Sequence, residues 1–382
     1  MNKSYKENIP KKFVELYNNS PLTICSPGRI NVIGEHTDYN NGFVLPAAIN
    51  KGIVTSLAKN SNGSCNLYAY DLNESYSFNV NNIQALEAGA WQNYIMGVVA
   101  ELQKSGKTIT NFDLVFGGDI PNGSGLSSSA AIENSVVFGL NELFSLGLTK
   151  DEMILISQKA EHNYAGVKCG IMDQFASMFG IENHTLLLDC KTMDYKSVSI
   201  DLGDYQFLLI NTNVKHSLSE SAYNDRRSKC EEVADLLDRP SLREVSFDCL
   251  ENIKDQLSDN TYQKALFVLQ ENKRVKEAIE AMKNNDIQEV GKLLFGSHNG
   301  LQNQYEVSCE ELDFLVEYAK NKDAIIGARM MGGGFGGCTI NLIKKSKVSE
   351  ISKEISAIYK EKFNKDCSIY DVALSNGTHV LN

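Results

Sequence analysis

A chain of 382 residues exceeds the size at which one hydrophobic core stops growing, so two domains are expected. A composition of 42% hydrophobic and 22% charged residues supplies apolar material for packed cores and excludes a disordered, collagenous or coiled-coil chain. The formal net charge of -11, with no dense lysine and arginine block, excludes a nucleic-acid or anionic-membrane surface as the main partner and leaves small solutes.

Residues 1–12 are polar, and no run of 18 apolar residues occurs anywhere, so neither a signal peptide nor a membrane-spanning helix is expected. Nine cysteines are scattered without a CxxC pair, an odd set that reads as reduced thiols in a cytoplasmic protein. From 23 to about 190 the chain reads as short β-type runs mixed with helices, with candidate strands at 52–58, 66–70, 113–116 and 185–188. A helix follows Ser127 on the spacing of Ile132, Val136, Leu140, Leu143 and Phe144, and Thr149 with Glu152 forms a capping box for the next. Beyond a strand near 206–210, the stretch 223–296 carries Glu231, Glu232, Lys273 and Lys276 among helix-favouring neighbours and reads as a helical section. Residues 328–343, 349–363 and 368–373 read as strand, helix, strand. The boundary falls near 195–205, which gives an N-terminal domain of 1–198 and a C-terminal domain of 199–382.

The first motif is Ser26-Pro27-Gly28-Arg29-Ile30-Asn31-Val32-Ile33-Gly34-Glu35-His36-Thr37-Asp38-Tyr39-Asn40. Glu35, His36 and Asp38 place two carboxylates and an imidazole in a turn-prone stretch. Such rigid acceptors and donors suit a polyol, because an unpaired buried hydroxyl partner is costly and therefore discriminating. A metal site and a solvated polar loop are the other readings of the same residues. Arg29, in a Pro-Gly turn, is either a surface charge or a group near the sugar or phosphate.

The second motif, Gly117-Gly118-Asp119-Ile120-Pro121-Asn122-Gly123-Ser124-Gly125-Leu126-Ser127-Ser128-Ser129-Ala130-Ala131, lies between an apolar strand and an amphipathic helix. Glycines allow close backbone approach, a helix N-terminus presents free N–H groups, and three serines add hydroxyls, which together make a phosphate cradle. No lysine follows the last glycine, so this is not the common P-loop. A glycine-rich turn with a serine N-cap is the plainer reading.

The third motif, 166–177, follows a helix carrying Glu161 and places Asp173 between Met172 and the apolar Phe175, Met178 and Phe179. Asp173 is either a helix N-cap or a base or charge stabiliser facing a hydroxyl that attacks phosphorus. Gly332-Gly333-Gly334-Phe335-Gly336-Gly337 satisfies GxGxxG, but the strand-like 338–343 follows where a dinucleotide fingerprint must open a helix. It reads instead as a tight turn, packed near a nucleotide or simply against its own fold.

These segments, in this order, resemble the family of galactokinase, homoserine, mevalonate and phosphomevalonate kinases. Residues 29–39 resemble the galactokinase signature within it, 123–129 the family's phosphate loop, and 331–337 its third glycine-rich motif. The resemblance implies an ATP-dependent sugar kinase with an α+β fold, its N-terminal half like the second domain of ribosomal protein S5 and its C-terminal half ferredoxin-like, and the active site between them. It implies Asp173 and Arg29 as catalytic residues, and Glu35, His36, Thr37, Asp38, Gly170, Asp173 and Tyr223 around galactose. It further implies Gly123, Ser124, Gly125, Leu126, Ser127, Ser128 and Ser129 around the phosphates of ATP, with Ser129 and Glu161 near Mg²⁺. The expected partners are galactose and ATP, with no nucleic acid or membrane, acting on a monomer. An N-acetylgalactosamine kinase or a non-catalytic galactose and ATP sensor would share these pockets.

Overall fold

The computed structural model describes residues 1–87, 89–121, 123–214 and 219–381, with side chains except over 219–223. Helix α1 (Lys3–Tyr17) leads into strands β1 (Leu22–Asn31), β2 (Phe43–Val44), β3 (Pro46–Lys59), β4 (Cys65–Ala69) and β5 (Glu74–Phe78). Then come α2 (Gln92–Lys104), β6 (Phe112–Gly118), α3 (Ser128–Phe144), α4 (Lys150–Ala160), α5 (Met172–Phe179), β7 (His184–Asp189), β8 (Tyr195–Ser199) and β9 (Tyr205–Asn211). A helical section follows, α6 (Ser219–Leu236), α7 (Phe247–Asn252), α8 (Asp259–Lys283), α9 (Ile287–Asn303) and α10 (Glu310–Lys320). The chain closes with β10 (Ile325–Met330), β11 (Cys338–Lys344), α11 (Val348–Phe363), β12 (Ser368–Asp371) and β13 (His379–Val380).

Three sheets result, in an α+β arrangement. The largest has the order β13-β1-β3-β6-β4-β5 and is antiparallel except where β4 lies beside β6. A second, β10-β11-β9-β12, is antiparallel throughout, and a small third joins β2, β7 and β8. Side chains alternate across a strand, and β3 shows the result. Val54 and Ala58 face α1, packing with Ile9 and Phe13, whereas Ile53 and Leu57 face the main core with Val136 and Leu140 of α3. Each fully buried Val, Leu or Ile there contributes about 1.5–3 kcal/mol. The main core also takes in Phe207, Leu209, Val275, Met331 and Ile340, so apolar packing is continuous between the two large sheets.

The four candidate strands of the N-terminal half correspond to β3, β4, β6 and β7, and the periodic run after Ser127 is α3. The capping box forms as expected, with the Thr149 hydroxyl accepting from the Glu152 N–H and the Glu152 carboxylate accepting from Thr149. The run expected as one strand over 328–343 is two, β10 and β11, because the glycines of 332–337 reverse the chain between them. Helices α1, α2 and α10 are additional to the expected elements. Among the described residues no helix is long and apolar enough to cross a membrane.

Candidate active site

Arg29 does not sit in a free turn. It belongs to β1, which carries a register shift between Pro27 and Arg29. Gly28 permits this, since a Cβ there would lie 2.6 Å from the Leu126 carbonyl oxygen. The strand therefore presses against the 123–129 loop, and the Arg29 N–H donates to that same carbonyl at 3.2 Å. The buried guanidinium then donates to both Asp173 oxygens, Nε to Oδ1 at 2.8 Å and Nη2 to Oδ2 at 3.0 Å, and its Nη1 to the Gly125 carbonyl. One planar fork thus fixes the carboxylate and the loop together.

Asp173 lies in the first turn of α5, whose N-cap is Ile171, so the capping reading of this aspartate is set aside. The helix N-terminus lends it a positive partial charge. Ser127 adds a third donor, its hydroxyl reaching Asp173 Oδ2 at 2.5 Å. That explains why Ser127, at the α3 N-terminus with a left-handed φ of 61°, makes no side-chain cap. A non-glycine residue in that conformation is held by its surroundings.

A cavity of about 350 Å³ is lined by Glu35, His36, Asp38 and Gly170 together with Arg29 and Asp173. Glu35 is buried, and its Oε1 accepts from Arg329 Nη1 at 3.1 Å and Nη2 at 3.2 Å and from the Gly332 N–H at 2.9 Å. His36, also left-handed at φ 62°, pairs Nδ1 with the Tyr39 hydroxyl at 2.8 Å, and burial lowers its pKa to about 3, so the imidazole is neutral. Thr37 is fully buried and lies off the cavity, its hydroxyl within reach of the Gly34 and Phe43 carbonyls, where it braces the turn. Gly170 packs so closely on Asp38 that a Cβ would fall 1.9 Å from Asp38 Oδ2. These engagements favour a polyol site over a metal cage for the Glu35, His36 and Asp38 set. Among the described residues no three His, Cys, Asp or Glu side chains are gathered to hold a metal.

Burial, with repulsion from Asp173 and Glu35, raises the Asp38 carboxyl from 3.8 to about 7, against the Tyr39 N–H and Arg29. The folded chain therefore keeps a proton at Asp38 that the unfolded chain has released. Its contribution to stability is present below the unfolded value and is lost as pH rises through the folded one. Relative to Asp38→Asn, the wild type should lose up to about 1.4 kcal/mol per pH unit between about pH 4 and pH 7. Urea midpoints of both proteins across that range check it, and a difference that does not vary with pH contradicts it.

In the glycine-serine loop, Leu126 is buried in the main core and Ser124 turns its hydroxyl to the Pro121 carbonyl at 2.6 Å. Their backbones, with Gly123 and Gly125, lead into the α3 N-terminus at Ser128 and Ser129, whose first N–H groups are free for an anion, and the loop meets the cavity residues through Ser127 on Asp173 rather than lining the cavity itself. Ser129 donates to Glu161 Oε1 at 2.9 Å. Glu161 opens a π-helical turn and takes Gln174 Nε2 at 2.6 Å and the Cys169 thiol at 3.2 Å on its other oxygen. Burial raises its carboxyl pKa, and that of the neighbouring Glu133 further still. A hydroxyl and a carboxylate are hard oxygen donors, and Mg²⁺ takes one or two such protein ligands with waters and substrate phosphates, so Ser129 and Glu161 fit the ion.

The third glycine motif completes the lining beside Glu35. Gly332, Gly333 and Gly334 line the cavity, and a Cβ on Gly332 would lie 3.8 Å from Gly125 Cα, so the two glycine loops face each other. The cavity also takes in Lys168, Cys169 and Met172 of the 166–177 motif, to which the sequence assigned no role, and Asn224, which lies outside the motifs. Tyr223 lies outside the residues whose side chains are described.

Residues 93–181 match the family model of the GHMP kinases N terminal domain, 278–361 that of the GHMP kinases C terminal domain, and 11–59 the galactokinase galactose-binding signature. The chain is 42% identical over 360 residues to a galactokinase of Thermotoga petrophila, across 94% of this chain and 100% of that one. The crystal structure of Lactococcus lactis galactokinase complexed with galactose aligns with a TM-score of 0.94 at 35% identity, over 98% of this chain and 100% of that chain. Mevalonate kinase of Methanococcus jannaschii, at 19% identity and a TM-score of 0.68 over 94% of this chain and 99% of that one, shares the fold.

Proposed function

Because the chain belongs to the galactokinases of the GHMP kinase family, we propose that it transfers the γ-phosphoryl group of ATP to the anomeric hydroxyl of galactose, giving galactose 1-phosphate and ADP as the first committed step of galactose metabolism. The observation that carries this reading is the Asp173 carboxylate, clamped by Arg29 and Ser127, lining one cavity with Glu35, His36 and Asp38. A carboxylate has about four acceptor sites, and three are occupied, which leaves room for one sugar hydroxyl. Asp173 receives or steers that hydroxyl's proton as the oxygen attacks phosphorus in line. Arg29 keeps the carboxylate aimed, and the N–H groups of the 123–129 loop and the α3 N-terminus hold the phosphates. Ser129 and Glu161 would hold Mg²⁺, which when bound would offset triphosphate charge. Glu35, His36, Asp38 and Gly170, with Tyr223, would define the sugar's hydroxyl pattern.

Nine free cysteines support a reducing, cytoplasmic setting, and exposed large apolar side chains scattered from Val14 to Phe247 support a monomer. The division into domains near 198–199 is also proposed, with β13 reaching back into the first sheet. Coupled ADP release measured with galactose, glucose, N-acetylgalactosamine and mevalonate tests the function. Turnover with galactose ahead of the others is expected. Preference for N-acetylgalactosamine would reassign the substrate, and no ADP with any of them would leave a sensor. The intact Ser127-Ser128-Ser129 run and the Arg29–Asp173 pair favour the enzyme.

Arg29→Lys keeps the charge but cannot grip two carboxylate oxygens and the Gly125 carbonyl from one plane. Turnover should fall about 10- to 100-fold with a smaller change in galactose KM. Steady-state kinetics in both substrates check this, and wild-type constants would place Arg29 outside the reaction.

A further inference from the structure

We propose that Arg329 is a positioning residue that sets the sugar turn and the glycine wall as one unit, an inference that rests on the galactose reading above. Arg329 stands in β10, next to the third glycine motif, and is fully buried. A buried arginine needs every donor satisfied, and all five of its N–H groups are committed. Nε donates to the Val32 carbonyl at 2.8 Å, Nη1 to the Met330 carbonyl at 2.6 Å and to Glu35, and Nη2 to the Asn31 carbonyl and to Glu35.

The partners share a pattern. Asn31 and Val32 are the backbone units that lead from β1 into the turn bearing Glu35, His36 and Asp38, whereas Met330 leads into Gly332–Gly334. Glu35 joins the two sides, since the Oε1 that accepts both Nη atoms also accepts the Gly332 N–H. Its second oxygen has no hydrogen-bond partner among the described residues, and Glu35 lines the cavity. Arg329 thus orients the carboxylate that meets the sugar while fixing where the adjoining glycine wall stands. Arg329 touches no cavity surface itself, so it acts through Glu35, the 31–32 backbone and the motif.

Arg329→Lys retains the charge opposite Glu35 but replaces a planar fork of five donors by a point of three, so the 31–32 carbonyls and the carboxylate cannot all be held. With folding confirmed by circular dichroism, the variant's galactose KM should rise about tenfold or more, with kcat within about threefold of wild type. In a double-mutant cycle with Glu35→Gln, the two effects on galactose KM should be non-additive. A purely structural role would lower the melting temperature and leave KM unchanged in the folded fraction, and that result overturns the proposal. So does additivity in the cycle.

If Arg329→Lys does not fold, the wild type decides. Galactose alone should shift the NMR resonances of the buried Arg329 guanidinium, and resonances that stay in place on saturation with galactose would overturn the proposal. A wild-type protein that neither binds nor phosphorylates galactose refutes the functional reading instead, whereas normal wild-type turnover with an unchanged Arg329→Lys KM refutes only the role of Arg329.

Discussion

Asp173→Asn is expected to lower turnover by about two to four orders of magnitude while galactose and ATP still bind, as follows from loss of a general base. The amide keeps the shape of the side chain but offers one acceptor oxygen where Arg29 and Ser127 address two. Arg29 then loses one arm of its grip, and the proton of the attacking hydroxyl loses its acceptor. Binding measured by calorimetry separates these effects from misfolding, and single-turnover ADP formation reads the chemistry. Turnover within about threefold of wild type would remove Asp173 from the reaction.

A larger effect on stability is expected away from the reacting atoms. Glu271 of α8 is fully buried, and its carboxylate takes the Gly34 N–H at 3.0 Å, the Ser297 hydroxyl at 2.6 Å and Arg274 Nε at 2.6 Å. Glu271→Leu fills the same space and strips all three donors of their acceptor. Removing one partner of a buried ion pair costs about 3–5 kcal/mol. Urea unfolding should show that loss, and because Gly34 begins the sugar turn, galactose affinity should fall in the folded fraction as well. A change under about 1 kcal/mol would mean that water replaces the carboxylate.

The contrast between these two residues shows what sequence could reveal. Asp173 was legible because a carboxylate amid Met172, Phe175 and Met178 is anomalous where it stands. Glu271 sits in a stretch of glutamates and lysines typical of a solvated helix, and only packing against Gly34 and Ser297 makes it internal. Arg329 lay between: a lone charge in the run Ile325-Ile326-Gly327-Ala328-Arg329-Met330 is out of place in a strand, yet its partners are about 300 positions away. The strands β3, β4, β6 and β7 and helix α3 were legible because period-2 and period-3.6 patterns are local. The Arg29 segment was read as a turn because Pro27 and Gly28 are turn residues, whereas pairing with β3 and contact with Leu126 hold it as a bulged strand. The splitting of 328–343 into β10 and β11 likewise depended on glycines, four of which adopt positive φ in 332–337.

Strand β13 lies beside β1, with Ile24 opposite Val380, and Thr378 meets the Ser26 hydroxyl at 2.9 Å and the Ser177 carbonyl at 3.0 Å. The edge of the first sheet is thus finished by residues more than 350 positions downstream of β1. During synthesis, the half of the molecule that carries Arg29 and Asp173 emerges early but has an open strand edge until residue 380 has left the ribosome. An unpaired edge is a template for association, so the N-terminal half presents a pairing-competent strand for as long as β13 is missing.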